Sequence, residues 1–159
     1  MKKALLLVNL GTPDKPTYFS VFKYLRQFLM DGRVININPF LRFILVNFII
    51  CPTRSFSSTK VYKEVWDKNT GSPLLHNTKK LSEKLNIKLK EYDVYYAMRY
   101  QNPSIESEID KILKLRNANL SKASKLRLYE LIASKIDNFY IFDEDYIFLI
   151  QADKRNWSP

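Results

Sequence analysis

The first third of the chain alternates between apolar blocks and short polar breaks, which predicts a strand followed by a helix. Residues 3–9 form a continuous apolar run that ends in the turn signal Gly11-Thr12-Pro13, as is typical of a buried strand. Residues 18–30 then carry large apolar side chains at helical spacing. Asp31-Gly32 is predicted to close this helix, because glycine tolerates the left-handed conformation that many helix C-termini adopt.

A second apolar stretch predicts a separate helix over residues 40–50. Pro52 is predicted to end it, since proline lacks the N–H group that a helix interior needs. The Ser- and Thr-rich segment 54–59 is then a polar connection that leads into a further helix at about 58–66. The apolar stretch is far shorter than the roughly 20 residues that span a bilayer.

The middle of the chain continues this alternation. Residues 74–90 predict an amphipathic helix with four leucines on one face: Leu74, Leu81, Leu85 and Leu89. Residues 93–100 predict a second strand, and Ser104 is predicted to cap the helix that follows. Strand, helices, strand and helix in this order predict an α/β fold, with a Rossmann-like parallel sheet flanked by helices.

The last forty residues have a different character. Residues 119–137 predict a helix, and the aromatic, β-prone stretch 139–150 has three acidic residues, 143–145, in its middle. This stretch predicts either a hairpin that turns at 143–145 or a segment that does not belong to the same fold. We predict an α/β part over 1–115 and, over 116–159, a helix followed by this aromatic, β-prone tail.

Composition excludes several classes of protein. A chain of 159 residues with 46% hydrophobic residues is not disordered, and it is long enough for one domain with a real core. One cysteine excludes an internal disulfide framework and a cysteine-based zinc site. The net charge of +10 is concentrated in residues 1–60, with nine Lys/Arg against two Asp/Glu. Such a surface suits nucleic acid, an acidic lipid surface or a small polyanion, and charge alone does not choose among them.

Four places along the chain offer chemistry, each with a plainer structural alternative. Gly11-Thr12-Pro13 follows a strand, where open α/β sheets bind ligands, although a single glycine makes no phosphate cradle. Gly71-Ser72-Pro73 offers a hydroxyl and backbone N–H groups to a carboxylate, or is a simple helix cap. Arg54 and Arg99 are candidate anion anchors or solvated side chains. A lone histidine such as His76 is more often a surface residue than a metal ligand. Taken together, composition and spacing indicate an α/β domain that binds an anionic, apolar ligand.

Several motifs in this sequence have a specific order and spacing. They are LLLVNLGTPD at 5–14, YLRQFLMDGRV at 24–34, GSPLL at 71–75 and AMRYQNPSI at 97–105. Together they resemble the N-terminal part of the ferrochelatases, most closely the bacterial branch. The resemblance covers about residues 3–115, and nothing beyond that point matches.

The resemblance implies a fold and a reaction. The fold is the first of two similar Rossmann-like halves, with porphyrin bound in a cleft between them. The reaction is the insertion of Fe²⁺ into protoporphyrin IX, the terminal step of heme biosynthesis, catalysed by a lyase. Fe²⁺ and protoporphyrin IX are then substrates, and no further cofactor is expected.

The resemblance also assigns positions to this chain. It places six residues in the porphyrin cleft: Leu10, Arg54, Tyr62, Ser72, Arg99 and Tyr100. Residues 37–51 resemble the lip through which porphyrin enters from the membrane surface. This implies a cytoplasmic protein with a peripheral contact at the inner face of the membrane.

The departures from the family pattern predict impaired catalysis. The metal-handling histidine and the glutamate of the family lie in its second half, and His76 sits elsewhere in the pattern. We therefore expect no catalytic or metal-binding residue in this chain, which looks like a truncated ferrochelatase. The alternative is a non-catalytic porphyrin-binding half-domain that pairs with a separate second half or with itself. The charge permits a basic nucleic-acid or lipid-surface binder, but the motifs disfavour it, and we expect no nucleic-acid partner.

Overall fold

The computed structural model describes residues 3–115, 121–122, 124–126, 128–129, 140–141 and 147–151. The strands are β1 (Lys3–Gly11), β2 (Tyr92–Tyr100), β3 (Tyr140–Ile141) and β4 (Ile147–Gln151). The helices are α1 (Tyr18–Met30), α2 (Pro39–Ile44), α3 (Cys51–Val65), α4 (Pro73–Lys88) and α5 (Ile105–Leu115), with a π-helical segment, Leu45–Ile50, between α2 and α3.

The chain divides into two compact units. The first, here the sheet unit, comprises Met1–Leu10, Asn77–Arg99 and Pro103–Pro159. The second, here the helical unit, comprises Gly11–His76 and Tyr100–Asn102. The boundary predicted after residue 115 stays a prediction, because residues 116–120 lie outside the described part of the chain.

The strands form one sheet in the order β2-β1-β4-β3. β1 and β4 pair in parallel, from Ala4 opposite Ile147 to Val8 opposite Gln151. β3 and β4 pair in antiparallel fashion, so the predicted hairpin exists, although its turn at 143–145 lies outside the described residues. The α/β class with a parallel sheet flanked by helices is confirmed, and the alternative that the tail strand lies outside the fold is wrong.

Both faces of β1 are buried, which explains its unbroken apolar sequence. Side chains on one face, including Leu6 and Val8, pack against α5 around Ile109. The alternate side chains, Leu5 and Leu7, pack with Val94 on the other face. Successive side chains of a strand point to opposite faces, so only a continuous apolar run satisfies both.

A side-chain amide covers part of the outer edge of β2. Asn86 of α4 donates from Nδ2 to the Val94 carbonyl oxygen at 2.8 Å, and its Oδ1 accepts from the Val94 N–H at 2.7 Å. The amide therefore replaces the neighbouring strand that Val94 would otherwise need. Edge strands left open are sites of unwanted pairing, and this contact removes one such position.

The buried face of α4 differs from the predicted one. Leu74 and Leu81 are exposed, whereas Thr78 and Ser82 are buried. The Thr78 hydroxyl accepts a hydrogen bond from Asn9 Nδ2 at 3.0 Å, and the Ser82 hydroxyl donates to the Lys79 carbonyl at 2.7 Å. Leu85 and Leu89 do pack against the core cluster of Leu5, Leu7 and Val94. The predicted leucine face is therefore confirmed at Leu85 and Leu89 and wrong at Leu74 and Leu81, since buried hydroxyls with partners are tolerated.

Pro52 does not end the apolar helix, contrary to prediction. Helical backbone runs without a break from Pro39 to Val65, and the segment 54–59 is helical. In the wide turn before the proline, the Cys51 N–H bonds to the Val46 carbonyl, five residues back. This spacing makes room for the proline ring, which would clash with an ordinary helical carbonyl.

Hydroxyl side chains continue the hydrogen bonding after Pro52. Thr53 donates to the Ile49 carbonyl at 2.7 Å, and Ser55 donates to the Cys51 carbonyl at 2.6 Å. Such back-bonding is common for Ser and Thr within helices and satisfies carbonyls near an irregular turn. The serines and threonines that suggested a connection are therefore compatible with a helix.

The end of α1 also differs from prediction. Asp31 is the C-cap in an extended conformation, and its N–H bonds to the Phe28 carbonyl. Gly32 is not among the residues with positive φ in the described part of the chain. Gly32 therefore does not adopt the left-handed conformation for which it was predicted to close α1.

Candidate functional site

The last residue of β1 is required to be glycine. Gly11 has a φ of +110°, and a Cβ there would overlap the carbonyl oxygen of Tyr100 and lie 3.0 Å from its carbonyl carbon. Residues with a Cβ rarely adopt such a φ. The close approach fixes the position of the next residue, Thr12, which is 4% exposed.

Ser72 is held by a second left-handed glycine. Gly71 has a φ of +79°, and its N–H and carbonyl pair with the backbone of Asp67 at 2.9 and 3.0 Å. Asp67 Oδ1 also accepts from the N–H groups of Asn69 and Thr70, which lowers the pKa of that carboxyl. The turn thus places Ser72 directly before α4.

Thr12 and Ser72, which each follow a left-handed glycine, are in contact inside the helical unit. Ser72 Oγ donates a hydrogen bond to Thr12 Oγ1 at 3.0 Å. Both residues are 4% exposed. The structure therefore places Ser72, one of the predicted porphyrin contacts, with its hydroxyl directed at another side chain of the same unit.

Arg54 is exposed on α3. No acidic partner is recorded for its guanidinium among the residues that the structure describes. A guanidinium offers a planar fork of N–H donors that suits a carboxylate. Arg54 is thus a cation available to an external anion.

Tyr62 lies on the same helix, two turns further on, against Tyr24 of α1. The two rings are 6.2 Å apart between centroids, edge to face at 85°. Tyr24 stacks on Phe28 in turn, with centroids 6.2 Å apart. Burial raises the pKa of the Tyr24 phenol, and its neighbour Tyr62 raises it further. Burial also raises the pKa of Tyr62, against a smaller lowering by its contact with Tyr24.

Tyr100 belongs to the same aromatic cluster. Its ring meets Phe28 edge to face with a centroid separation of 5.3 Å, and its hydroxyl donates to Asp31 Oδ2 at 3.0 Å. Tyr100 is 4% exposed. The helical unit therefore brings two predicted site residues, Tyr62 and Tyr100, into one cluster through Tyr24 and Phe28.

The buried tyrosine predicts a loss of stability at alkaline pH. The folded state holds Tyr24 protonated above its ordinary pKa near 10, whereas the unfolded chain releases the proton there. The free energy of unfolding should therefore be unaffected by Tyr24 below pH 10 and fall by about 1.4 kcal/mol per pH unit above it. Urea unfolding of the wild type and Tyr24→Phe between pH 7 and pH 11 measures this. Equal alkaline slopes in the two proteins would contradict the prediction.

Two predicted site residues belong to the sheet unit. Leu10 is half-buried at the end of β1, where its N–H donates to the Asn9 side chain at 2.8 Å. Arg99 is half-buried near the carboxyl end of β2. Both follow or end strands, where α/β folds carry their ligand-contacting residues.

Sequence patterns did not single out Thr12, Tyr24 and Asp31 as partners of site residues. The sequence places Thr12 in the turn after the first strand and in the motif 5–14, and Tyr24 in the motif 24–34. Their contacts join residues 60, 38 and 69 positions apart along the chain. In the described ranges, no group of three or more His, Cys, Asp or Glu side chains is placed to hold a metal ion.

Comparison with known proteins decides the family. The family model named Ferrochelatase matches residues 2–134, most of the chain. The chain belongs to the ferrochelatase family. The match runs past Leu115, so the expectation that nothing beyond about residue 115 matches the ferrochelatases is wrong.

Named relatives extend the likeness along nearly the whole chain. A ferrochelatase of Francisella tularensis subsp. holarctica (strain FTNF002-00 / FTA) is 44% identical over 159 residues, 99% of this chain. The ferrochelatase of Francisella tularensis subsp. novicida (strain U112) is 42% identical over 161 residues. The chain spans 46% of the length of each of these relatives.

Proposed function

We propose that this chain supplies one wall of the porphyrin site of a ferrochelatase, the enzyme that inserts Fe²⁺ into protoporphyrin IX. Membership of the family supports the substrate class. The observation that carries the proposal furthest is Arg54, an exposed guanidinium without an acidic partner among the described residues. It suits a propionate of the porphyrin, since guanidinium and carboxylate form charge-assisted hydrogen bonds.

The neighbouring side chains suit the rest of a porphyrin. The macrocycle is flat and apolar, and aromatic rings offer it large contact areas. Tyr62 is half-buried on the helix of Arg54, with one side of its ring fixed by Tyr24. In this proposal Tyr62 contacts the ring, and Tyr100 supports Tyr62 through the aromatic cluster of the helical unit. Leu10 and Arg99, in the sheet unit, are proposed as porphyrin contacts on the resemblance alone.

The proposal includes no iron insertion by this chain on its own. Removing pyrrole protons and delivering a metal ion both need positioned basic or acidic groups. The resemblance assigns these groups to the second half of the family fold, and the one histidine here, His76, lies elsewhere in the pattern. The groups of that second half would complete the site, with Fe²⁺ and protoporphyrin IX as substrates.

Titration with protoporphyrin IX tests the porphyrin site. We expect saturable binding, followed by Soret absorbance and tryptophan fluorescence, and a loss of about five- to tenfold in affinity for Arg54→Ala, typical of a hydrogen bond to a charged group. Lys60→Ala, which removes an exposed cation from the same helix, is the matched control and should bind like the wild type. The dimethyl ester of protoporphyrin IX should bind Arg54→Ala and the wild type equally.

Three results would count against the proposal. The folded wild type could fail to bind porphyrin, or Arg54→Ala and Lys60→Ala could weaken binding to the same extent. The second result would show that overall charge attracts the porphyrin. Iron insertion well above the uncatalysed rate by the purified chain would contradict the part of the proposal that denies it catalysis.

A contact with a membrane surface is a second proposed role. The continuous helical stretch Pro39–Val65 is long and apolar enough to cross a membrane by length and composition, a test that some core helices also pass. Phe40 and Phe48 are strongly exposed on it, and basic side chains of α1 and of the loop after it occur in the same unit. Apolar side chains in a basic neighbourhood suit the interface of an anionic bilayer. We propose a peripheral contact of this segment at the cytoplasmic face.

Vesicle sedimentation tests this contact. The chain should sediment with vesicles that contain phosphatidylglycerol, and the double variant Phe40→Ser, Phe48→Ser should remain in the supernatant. Ile87→Ser, which removes an equally exposed apolar side chain from α4, is the control and should sediment like the wild type. Sedimentation of the double variant at the wild-type level would overturn the role of this segment.

A further inference from the structure

The guanidinium of Arg26 is fixed by an amide of the apolar helical stretch. Arg26 is exposed on α1, and its Nε–H donates to Oδ1 of Asn47 in the π-helical segment. The Asn47 Nδ2 group donates in turn to the Phe43 carbonyl oxygen at 2.7 Å and lies 3.7 Å from the Met30 sulfur. Both ends of the amide therefore have partners, so the amide holds the guanidinium in one orientation.

The terminal N–H groups of Arg26 remain available to an anion. A guanidinium carries five N–H donors, and Asn47 takes only the one on Nε. No carboxylate pairs with Arg26 in the described part of the chain. The two acidic residues of the segment 1–60, Asp14 and Asp31, accept hydrogen bonds from other side chains. The planar fork of Arg26 is thus a cationic donor that is held in place and lacks an acid.

The side chains around Asn47 indicate an anion that borders an apolar phase. Asn47 lies between Phe43 and Phe48 along the chain, and these two rings meet edge to face with centroids 6.2 Å apart. Both rings are exposed, Phe48 by 68%. A soluble anion leaves such rings in water. At a bilayer surface, by contrast, the rings enter the acyl boundary while a neighbouring cation reaches the headgroup phosphates.

We propose that Arg26 binds the phosphate of an anionic phospholipid headgroup and that Asn47 acts as its positioning residue. Guanidinium and phosphate form paired, charge-assisted hydrogen bonds, for which a fixed planar fork is suited. Charge complementarity supports this partner, because residues 1–60 carry nine Lys/Arg against two Asp/Glu. The inference rests on the proposed membrane contact of Pro39–Val65 and adds to it a headgroup-binding residue.

A positioned fork differs from a simple surface charge in two variants that keep the net charge. Asn47→Ala retains the Arg26 guanidinium but releases it, so that binding must order the side chain. Alanine is also less polar than asparagine, so apolar contact alone predicts no loss for this variant. Arg26→Lys retains the charge but lacks the planar fork. Both variants should therefore bind headgroups more weakly, although neither changes the electrostatic attraction to the bilayer.

Sedimentation of the full chain with vesicles, over a range of lipid concentrations, tests this inference. With vesicles that contain phosphatidylglycerol, Arg26→Ala should bind about five- to tenfold more weakly than the wild type, and Arg26→Lys and Asn47→Ala about threefold more weakly. With vesicles of phosphatidylcholine alone, all three should bind within about twofold of the wild type. Lys84→Ala, which removes an exposed cation from α4, is the matched control and should bind both kinds of vesicle like the wild type. Circular dichroism shows that each variant is folded.

Several outcomes would overturn the inference. Wild-type binding of phosphatidylglycerol vesicles by Arg26→Ala would do so, as would an equal loss for Lys84→Ala, which would show a response to overall charge. Equal losses on both kinds of vesicle would show that the substitutions disturb the apolar stretch. Unchanged binding by Asn47→Ala would remove the positioning role. If Arg26→Ala yields no folded chain, wild-type binding by Arg26→Lys still contradicts the proposed fork.

A soluble anion as the partner of Arg26 gives a separate result. Inorganic phosphate should release the wild type from phosphatidylglycerol vesicles no more than sodium chloride does at the same ionic strength. A stronger release by phosphate, lost in Arg26→Ala, would assign the guanidinium to a soluble phosphate and overturn the lipid assignment.

Failure of the membrane contact itself is distinguishable from failure of this inference. If the wild type does not sediment with vesicles, or if the double variant Phe40→Ser, Phe48→Ser sediments like the wild type, the headgroup site is overturned together with the membrane contact. If the double variant stays in the supernatant while Arg26→Ala sediments like the wild type, the membrane contact stands and only the Arg26 assignment is overturned.

Discussion

Gly11→Ala should destabilise the chain by about 3 kcal/mol or more, because it combines two separate costs. The first is conformational: a φ of +110° is strained for any residue with a Cβ. The second is steric: the added Cβ would overlap the Tyr100 carbonyl oxygen and lie 3.1 Å from the Tyr100 nitrogen. Backbone atoms cannot move aside as the end of a side chain can. Urea unfolding followed by circular dichroism measures the change.

Alanine substitutions at the other two glycines measure the conformational cost and the steric cost separately. Gly71→Ala keeps the left-handed strain, with a φ of +79°, but its Cβ would meet nothing closer than the Trp66 ring at 3.9 Å. We expect a loss of about 1 kcal/mol for it. Gly32→Ala carries no positive φ, and its nearest neighbour is the movable end of the Arg42 side chain at 3.0 Å. It should change stability by about 0.5 kcal/mol at most.

The order of the three variants in free energy of unfolding tests this explanation. Gly11→Ala should be the most destabilised and Gly32→Ala the least. Gly11→Ala within about 1 kcal/mol of the wild type would show that β1 and the Tyr100 backbone can separate at low cost. The loop that begins at Thr12 would then lack a rigid support.

Local patterns predicted the regular elements well. The strand of residues 3–9, the helix of 18–30 and the strand of 93–100 all exist within two residues of their predicted bounds. Ser104 does cap α5, since its hydroxyl accepts from the Ser107 N–H at 3.1 Å. These features depend on neighbours within a few positions, so a sequence alone reveals them.

Predictions failed where a distant or irregular contact decided the outcome. Pro52 continues a helix because the π-helical turn before it widens the backbone. Thr78 is buried and Leu74 exposed because Asn9 supplies a partner for the Thr78 hydroxyl. No local rule gives the backbone widening or a contact between residues 9 and 78.

The candidate site likewise has features that the sequence predicts and contacts that only the structure shows. The resemblance supplied Arg54 and Tyr62, which the structure places on one helix. It also supplied Ser72, but only the folded chain shows that Ser72 directs its proton at Thr12. Motifs indicate candidate binding positions, whereas the direction of a hydrogen bond between loops depends on the backbone of both.

Leu6→Ala should cost about 3 to 5 kcal/mol in unfolding free energy, as large-to-small changes in rigid cores do. Leu6 is fully buried, and its side chain lies between β1 and α5 in the larger of the two core clusters. A strand between two packed layers cannot collapse into the space left behind, because each layer is held by the other residues of its own cluster. The loss should therefore lie near the upper end of the usual range.

Leu115→Ala is the matched control, since it makes the same chemical change at a position that is 64% exposed, at the end of α5. It should alter stability by about 0.5 kcal/mol or less. A small effect of Leu6→Ala as well would mean that the sheet unit is loosely packed and tolerates a cavity. Leu10 lies in β1 and Arg99 lies in β2. A loosely packed sheet could not hold these two proposed porphyrin contacts in place. The measured difference between the two leucine variants thus tests the rigidity of the sheet that carries Leu10 and Arg99, two of the proposed porphyrin contacts.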